Sequence, residues 1–475
     1  MSVRVRFAPS PTGSMHLGNA RTAILNALFA IKNNGRLILR IEDTDAERFV
    51  PNSEKIITED LQWLGITVDE GPAAGGDCGP YRQGERQDIY KKCAERLLEA
   101  GIAYRCYCTD EVLATGRREA LAAGLPPRYP GTCRDLSPEE SEAKSHLPHA
   151  LRFKVDGPDV VIDDLIHGEV TFRTDTLGDF IIVRRDGSSV YNFAAAVDDH
   201  LMRITHIIRG EDHLPNTPRQ VLIYRALGAD IPRFAHHPLL LSPTGEKLAK
   251  REGATRTVDL REAGMTPEAV VTYLATIGTA GFSRTAPRPL EELAGYFNIE
   301  TLGKSGVKIE EDRISALTAR HIHGMTPEEL AGRIAPFLEE ASGETTETLS
   351  RFAAAVRDNL TTLKDARDFE PIFFLECPDL SKDTLKLLMT AEARTVIDRV
   401  HWELSERVEV ENTPFGDILK VVGKELGVSG RRLYGPVRGA LTGITAGPEL
   451  EEIVRFIGTD LVRRRLGRVL ALTGS

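Results

Sequence analysis

The chain has 475 residues, 41% apolar and 27% charged, with a formal net charge of −10. That length implies roughly three to five domains rather than one core, and no apolar run approaches the ~20 residues that span a bilayer, which argues against a membrane role. Six cysteines in a chain this long make no disulfide framework, and Met1-Ser2-Val3-Arg4-Val5-Arg6 enters a strand without the pattern of a secretory signal, so a cytoplasmic location is expected.

From Val3 to about Arg105, short strands such as Arg36-Leu37-Ile38-Leu39-Arg40-Ile41 alternate with helical segments from Ser53 to Trp63 and from Gln87 to Ala100. A first helix is expected from about Ala20 to Lys32. This is the strand-helix-strand pattern of a parallel sheet. Between about Cys106 and Asp186 the periodicity changes to a polar helical stretch followed by strand-forming pieces such as Asp159-Val160-Val161-Ile162, which reads as an insertion. The α/β pattern is expected to resume with Phe180-Ile181-Ile182-Val183, a helix from Tyr191 to Met202, a strand from Ile204 to Ile208 and a helix from Asn216 to Ala226. Beyond about Thr257 there is almost no strand signal. Apolar periods near 3.6 cover Pro267 to Thr279, Pro327 to Ala341, Leu349 to Leu363 and Leu385 to Val400, so an all-helical region is expected. The boundaries predicted are 1–105 and 187–256 for two halves of one α/β domain, 106–186 for its α+β insertion, 257–325 for a linking region and 326–475 for the helical part. Arg431, Arg432, Arg438, Arg463, Arg464, Arg465 and Arg468 supply most of its exposed arginine, a basic stripe that the acidic balance hides.

Two segments carry chemistry. Arg6-Phe7-Ala8-Pro9-Ser10-Pro11-Thr12-Gly13-Ser14-Met15-His16-Leu17-Gly18-Asn19 ends a strand, turns on Pro and Gly, and places a histidine where a helix begins. The unpaired N–H groups and dipole of such a helix favour a polyphosphate. An ordinary P-loop is excluded, because it needs Lys and then Ser or Thr where Asn19-Ala20 stand. The second segment, Lys247-Leu248-Ala249-Lys250-Arg251 after Pro238-Leu239-Leu240-Leu241, is a lysine-rich loop that could neutralise charge building on a pyrophosphate leaving group. Either alone reads equally as a capped turn or a solvated basic loop; together they can grip one nucleotide from two sides.

This pair resembles the His-Ile-Gly-His and Lys-Met-Ser-Lys-Ser signatures of class I aminoacyl-tRNA synthetases. Leu39-Arg40-Ile41-Glu42-Asp43-Thr44-Asp45, Asp69-Glu70-Gly71-Pro72, Val197-Asp198-Asp199-His200-Leu201-Met202 and Gly435-Pro436-Val437-Arg438-Gly439-Ala440-Leu441-Thr442-Gly443 are similar to glutamyl-tRNA synthetases of the bacterial type, over essentially the whole chain. The resemblance implies a Rossmann-like catalytic domain, an acceptor-stem insertion, a stem-contact region and a helical anticodon domain, in a monomer. It implies ATP with Mg²⁺, L-glutamate and tRNA-Glu as ligands and partners. By the same resemblance Pro9, Gly13, His16, Gly18, Asn19, Lys247 and Lys250 hold ATP, with His16, Lys247 and Lys250 in the catalytic roles. Arg6, Ser10, Glu42, Tyr191 and Arg209 hold glutamate, a set that supplies guanidinium groups for two carboxylates and an acid for the ammonium.

Three departures from the family pattern stand out. Asn19 replaces the second histidine, Ala249 replaces the serine, and Asn359 stands where members that strictly select tRNA-Glu carry an arginine, which leaves tRNA-Gln as an additional partner. Asn19 and Ala249 also leave a catalytically silent tRNA-binding protein as the rival reading. Asn359, Arg431, Arg432 and Arg438 are expected to contact tRNA. Cys106, Cys108 and Cys133 resemble the zinc site that some members carry, with Asp135 offered first and Tyr129 second as the fourth ligand. Zinc and a metal-free remnant both remain open at this stage.

Overall fold

Strand β1 (Arg4–Phe7) pairs in parallel with β2 (Arg36–Leu39), and helix α1 (Leu17–Lys32) connects them. The helix forms because Ala20, Ala23, Ile24, Ala27 and Leu28 recur at helical spacing and are buried. Each fully buried Ile or Leu among them contributes about 1.5–3 kcal/mol. The computed structural model describes residues 2–44, 50–124, 128–246, 256–279, 286–406 and 413–473. The chain forms two compact units, Met1–Asp259 with Val270–Glu310, and Leu260–Ala269 with Glu311–Ser475.

In the first unit the chain continues through α2 (Ser53–Trp63), α3 (Gln87–Glu99), β3 (Ala103–Cys106), α4 (Asp110–Ala122), α5 (Pro138–Ala143), β4 (Ala150–Phe153), β5 (Val160–Asp164), β6 (Gly168–Phe172), α6 (Thr174–Leu177) and β7 (Phe180–Val183). It then forms α7 (Tyr191–Leu201), β8 (His206–Gly210), α8 (Thr217–Leu227), β9 (Arg233–His237) and β10 (Leu240–Leu241). Strands β8 and β9 run parallel, β5 adds in parallel on the other side of β9, and β6 closes the sheet antiparallel to β5. The Thr205 amide donates to the Arg4 carbonyl at 2.9 Å, which sets the start of β8 beside the start of β1. The carboxyl ends of the parallel strands therefore share one edge, where α/β folds place their ligands.

The insertion differs from its sequence reading. β7 pairs antiparallel with β4, and β4 with β3, in a separate three-stranded sheet. Phe180–Val183 thus belongs to the inserted sheet and not to the resumed parallel one, while Val160–Asp164, read as part of the insertion, adds to β9. Strand propensity marks an element but not its partner, which long-range register decides. A further short strand, β11 (Val307–Lys308), pairs in parallel with β10 and follows α9 (Thr257–Glu262), α10 (Pro267–Thr276) and α11 (Leu290–Tyr296).

The second unit carries α12 (Glu311–His323), α13 (Pro327–Ile334), α14 (Thr346–Val356), α15 (Ala366–Phe374), α16 (Lys382–Leu388), α17 (Ala391–Glu406), α18 (Phe415–Leu426), α19 (Arg431–Thr442), α20 (Leu450–Ile457) and α21 (Thr459–Thr473). The single period expected from Leu385 to Val400 is two helices. The Thr390 hydroxyl accepts from the Ala393 amide at 3.3 Å, so Thr390 caps a new helix instead of continuing the old one. Phe352, Phe373 and Phe456 meet edge to face, with centroids 5.2 Å and 5.1 Å apart in successive pairs, and hold α14, α15 and α20 together. Among the described residues no helix is long and apolar enough to cross a membrane.

Glu70 ties β1 to β2 from below. Its carboxylate accepts from Arg4 at 2.7 and 3.0 Å, from Arg36 at 3.1 Å and from the Tyr81 hydroxyl at 2.7 Å. These donors, Arg4 first, hold its pKa at about 2. Because the folded value lies below the unfolded one, the stabilisation is complete above the ordinary carboxylate range and is lost as pH falls toward 2. Glu70→Gln is expected to cost on the order of 3 kcal/mol at pH 7, and in urea unfolding the gap between variant and wild type should shrink at pH 3.

Candidate active site

Phe7 ends β1, and the chain then turns through Pro9, Ser10 and Gly13 to reach α1. Gly13 has φ +105 and donates its amide to Ser53 Oγ at 3.0 Å, a conformation that only glycine adopts without strain. His16 is the N-cap: its Nδ1 accepts from the Asn19 amide at 3.3 Å. Gly18 leaves room for that ring, since a Cβ there would lie 3.0 Å from two of its atoms. The imidazole thus sits on the positive end of α1, and the first turn of the helix carries no acidic residue. Lys247, Ala249 and Lys250 lie outside the described residues. The described chain resumes at Arg256, which forms an antiparallel bridge with His16, and the Thr257 amide donates to the Met15 carbonyl at 2.9 Å.

Below this turn, three strand ends and α7 bring charged side chains together. Arg6 on β1 donates through Nε to Asp199 Oδ1 at 3.2 Å, and Arg40, just past β2, donates to the same oxygen at 2.6 Å. Tyr224 on α8 donates to Asp199 Oδ2 at 3.1 Å. Burial pushes the Asp199 carboxyl up, but Arg40 and Arg6 outweigh it and hold the group below its usual range. Arg40 also donates to Glu42 Oε1 at 3.0 Å, and the Glu42 amide is fixed on the Pro9 carbonyl at 3.0 Å. Burial raises Glu42 despite that partner.

Arg209, on β8, differs from the other two arginines. It lies 4% exposed and donates to neutral groups: Nε to His236 Nε2 at 3.1 Å and Nη2 to Thr217 Oγ1 at 3.0 Å. Its Nη1 is buried and has no hydrogen-bond partner among the described residues. Tyr191, at the start of α7, is coupled electrostatically to Glu42, Arg209 and Arg6, and its hydroxyl is 3.1 Å from His213 Nδ1. Burial and the neighbouring Arg209 bring His213 down to about 4, so its imidazole is neutral at pH 7. A cation without a carboxylate, an acid and a phenol in one buried place can hold a small zwitterion with a second anionic group.

The structure therefore brings Arg6, Glu42, Tyr191 and Arg209 together, with Pro9, Gly13, His16, Gly18 and Asn19 on the adjoining turn. Ser10 is exposed on that turn, where its carbonyl accepts from the Thr12 amide at 2.8 Å. Asp199, Arg40, His213, His236 and Asp164 join the site only through the fold. A signal for two of them existed: Arg40 and Asp199 interrupt strongly apolar segments, and a buried charge needs a partner.

In the insertion, Cys106, Cys108 and Cys133 are buried, with their sulfur atoms within 4.8 Å of one another. Cys108 and Cys133 are 3.6 Å apart, and the Tyr129 hydroxyl lies 3.5 Å from the sulfurs of both Cys106 and Cys108. A zinc tetrahedron with ordinary bond lengths has S–S edges of about 3.8 Å and S–O edges of about 3.5 Å. The donor set thus fits zinc with Tyr129 as the oxygen donor. Asp135, the first choice from sequence, is exposed and is not part of the cluster.

The arginines of the second unit divide sharply. Arg431 and Arg432 are exposed in the first turn of α19, the latter paired with Glu392. Arg438 is half-buried and donates to the Pro448 carbonyl at 2.5 Å. Arg464 and Arg468 are exposed, whereas Arg463 is partly covered and paired with Asp460. Arg465, expected on the surface, is 1% exposed and donates to the carbonyls of Ile372, Leu375, Glu376 and Leu441. It ties the end of α15 to the end of α19. Asn359 is exposed on the 3₁₀ turn Arg357–Asn359.

Residues 2–316 match the model for the catalytic domain of class I tRNA synthetases (E and Q), and residues 329–470 match that of an anticodon binding domain. The chain belongs to this family of class I synthetases, with a Rossmann-like catalytic part and a helical anticodon domain. Glutamate–tRNA ligases of Carboxydothermus hydrogenoformans and Sulfurihydrogenibium sp. are 43% and 42% identical to it, over 98% and 99% of this chain and 99% and 100% of theirs. A crystal structure of a glutamate–tRNA ligase from Elizabethkingia meningosepticum, in complex with its amino acid, is similar with a TM-score of 0.88 and 30% identity over 99% of each chain.

Arg465→Ala leaves four carbonyls without their donor and is expected to destabilise the second unit by roughly 3 kcal/mol or more. Arg431→Ala should change stability by no more than about 0.5 kcal/mol. Urea unfolding of the two variants separates the buried tie from the surface residue.

Proposed function

We propose that the chain is a glutamate–tRNA ligase that activates L-glutamate with ATP and transfers the acyl group to the 3′ end of tRNA-Glu in the cytoplasm. The observation that carries this reading is the buried Arg209 Nη1, without a partner among the described residues, beside Arg6, Glu42 and Tyr191, under a helix N-terminus capped by His16. Arg209 and Arg6 would receive the two carboxylates. Glu42 would take the ammonium, whose charge would favour the ionised form that burial disfavours.

In the first step a glutamate α-carboxylate oxygen attacks the α-phosphorus of ATP, and pyrophosphate leaves with its bonding electron pair. The protein supplies position and charge rather than a nucleophile. His16 and the N–H groups of α1 hold the phosphates, with Pro9, Gly13, Gly18 and Asn19 shaping the turn. Lys247 and Lys250 neutralise the charge that accumulates on the leaving group. Mg²⁺ brought with the ATP would offset part of the triphosphate charge. Zinc held by Cys106, Cys108, Cys133 and Tyr129 would lock the inserted domain, which would contact the acceptor stem.

Arg431, Arg432 and Arg438 would meet the tRNA backbone, and Arg431→Ala should weaken tRNA binding and reduce its salt dependence by about one counterion. Asn359 favours a second reading, in which the enzyme also charges tRNA-Gln with glutamate and so feeds an amidation route. Parallel charging of tRNA-Glu and tRNA-Gln with glutamate and ATP tests both: the first should be charged, and an uncharged second would remove the wider specificity. Lys250→Ala is expected to lower tRNA-dependent ATP–pyrophosphate exchange by about 10²-fold or more, with tRNA affinity near wild type. Elemental analysis of the isolated protein should find about one zinc per chain, absent in Cys133→Ser.

A further inference from the structure

Two fully buried residues stand behind Arg209, and neither is among the residues assigned to the nucleotide or to glutamate. His236 lies at the carboxyl end of β9 and Asp164 at the end of β5, adjacent strands whose described register pairs Asp164 with Phe234. Asp164 Oδ2 is 2.6 Å from His236 Nδ1, and the same carboxylate accepts from the His236, Ile166 and His167 amides. On the far side of the ring, His236 Nε2 lies 3.1 Å from Arg209 Nε and 3.1 Å from Thr217 Oγ1.

This arrangement permits one protonation state of the ring. A carboxylate accepts only, so the proton sits on Nδ1; a guanidinium donates only, so Nε2 must be an acceptor. We propose that Asp164 and His236 are positioning residues that hold the imidazole as the neutral Nδ1–H tautomer, so that Nε2 and Thr217 fix one edge of Arg209 and leave Nη1 for the side-chain carboxylate of the amino acid. The inference rests on the reading of this cleft as the glutamate site. Burial keeps His236 neutral, with its pKa down at about 4, so the acceptor persists at neutral pH.

The device serves selection as well as position. A carboxylate in direct contact with Arg209 would orient it equally well but would cancel its charge, whereas a neutral acceptor orients it and leaves the charge for the ligand. Arg6 and Arg40 are both tied to Asp199, so the uncompensated charge is concentrated at Arg209. An anionic side chain satisfies it; the uncharged amide of glutamine does not.

Three variants and one direct measurement test this. His236→Leu removes the acceptor, His236→Gln restores one through its amide oxygen, and Asp164→Asn offers an N–H to Nδ1 and so drives the proton to Nε2, against the Arg209 donor. In tRNA-dependent ATP–pyrophosphate exchange, His236→Leu and Asp164→Asn should raise KM for glutamate about 10- to 100-fold, the loss of one charge-assisted hydrogen bond. KM for ATP and kcat should stay near wild type, discrimination against glutamine should fall, and His236→Gln should recover most of the loss. Equal damage from His236→Gln and His236→Leu, or losses shared equally by glutamate and ATP, would overturn the proposal. Two-bond ¹H–¹⁵N correlation spectra of the wild-type protein are independent of whether any variant folds: an Nδ1–H pattern for His236 is expected at pH 7, and an Nε2–H or imidazolium pattern would refute it. If the wild type failed to charge any tRNA with glutamate, the functional reading would fall, while the spectrum would still decide the state of the ring.

Discussion

Asp199 is the point on which the catalytic unit depends. One carboxylate oxygen receives both Arg6 from β1 and Arg40 from the end of β2, and the other receives Tyr224 from α8. Because Asp199 itself sits on α7, these bonds join two parallel strands and two helices at the end of the sheet where ligands bind. Desolvating such charges costs several kcal/mol per ion unless each finds partners, so loss of one member leaves another buried charge uncompensated. Asp198, next in the chain, repeats the pattern one layer further in, accepting from Arg86 at 2.6 Å, Gln83 at 2.8 Å and Tyr90 at 2.8 Å. The adjacent pair of acids is therefore a frame for arginines: Asp199 holds Arg6 and Arg40, and Asp198 holds Arg86.

Such a frame gives two of the three buried arginines fixed partners within the chain. Arg6 and Arg40 have a permanent counter-charge, whereas Arg209 has only the neutral His236 and Thr217. The cleft is thus preorganised in its geometry and unsaturated in its charge, the combination that favours electrostatic selection over shape selection.

Local patterning made the frame of the fold legible. The segment Ser53–Trp63 has the bounds read from its apolar spacing, and α1 begins three residues earlier than expected because His16 itself is the cap. Long-range partnership was not legible: β7 and β5 are each recognisable strands, yet which sheet each joins depends on residues far away in the chain. The same holds for the site. Arg6, Glu42, Tyr191 and Arg209 came from motif likeness, while Asp164 and His236, 72 positions apart, have no local signature. Arg465 shows the converse failure. In Arg463-Arg464-Arg465 the three side chains look alike, but Val462, Leu466 and Val469 mark a buried helical stripe on which Arg465 also falls.

The buried tie made by Arg465 also bears on the order in which the chain acquires its structure during synthesis. The carbonyls it satisfies belong to residues 372, 375, 376 and 441, all made earlier, so a nascent helical unit emerging from the ribosome stays without this cross-brace until position 465 is free of the exit tunnel. Residues 260–269 join that late-closing unit, while 270–310 return to the catalytic one. All of the catalytic unit is thus synthesised before α12, so it is available to fold first, and the short 260–269 segment is made before the helices it groups with.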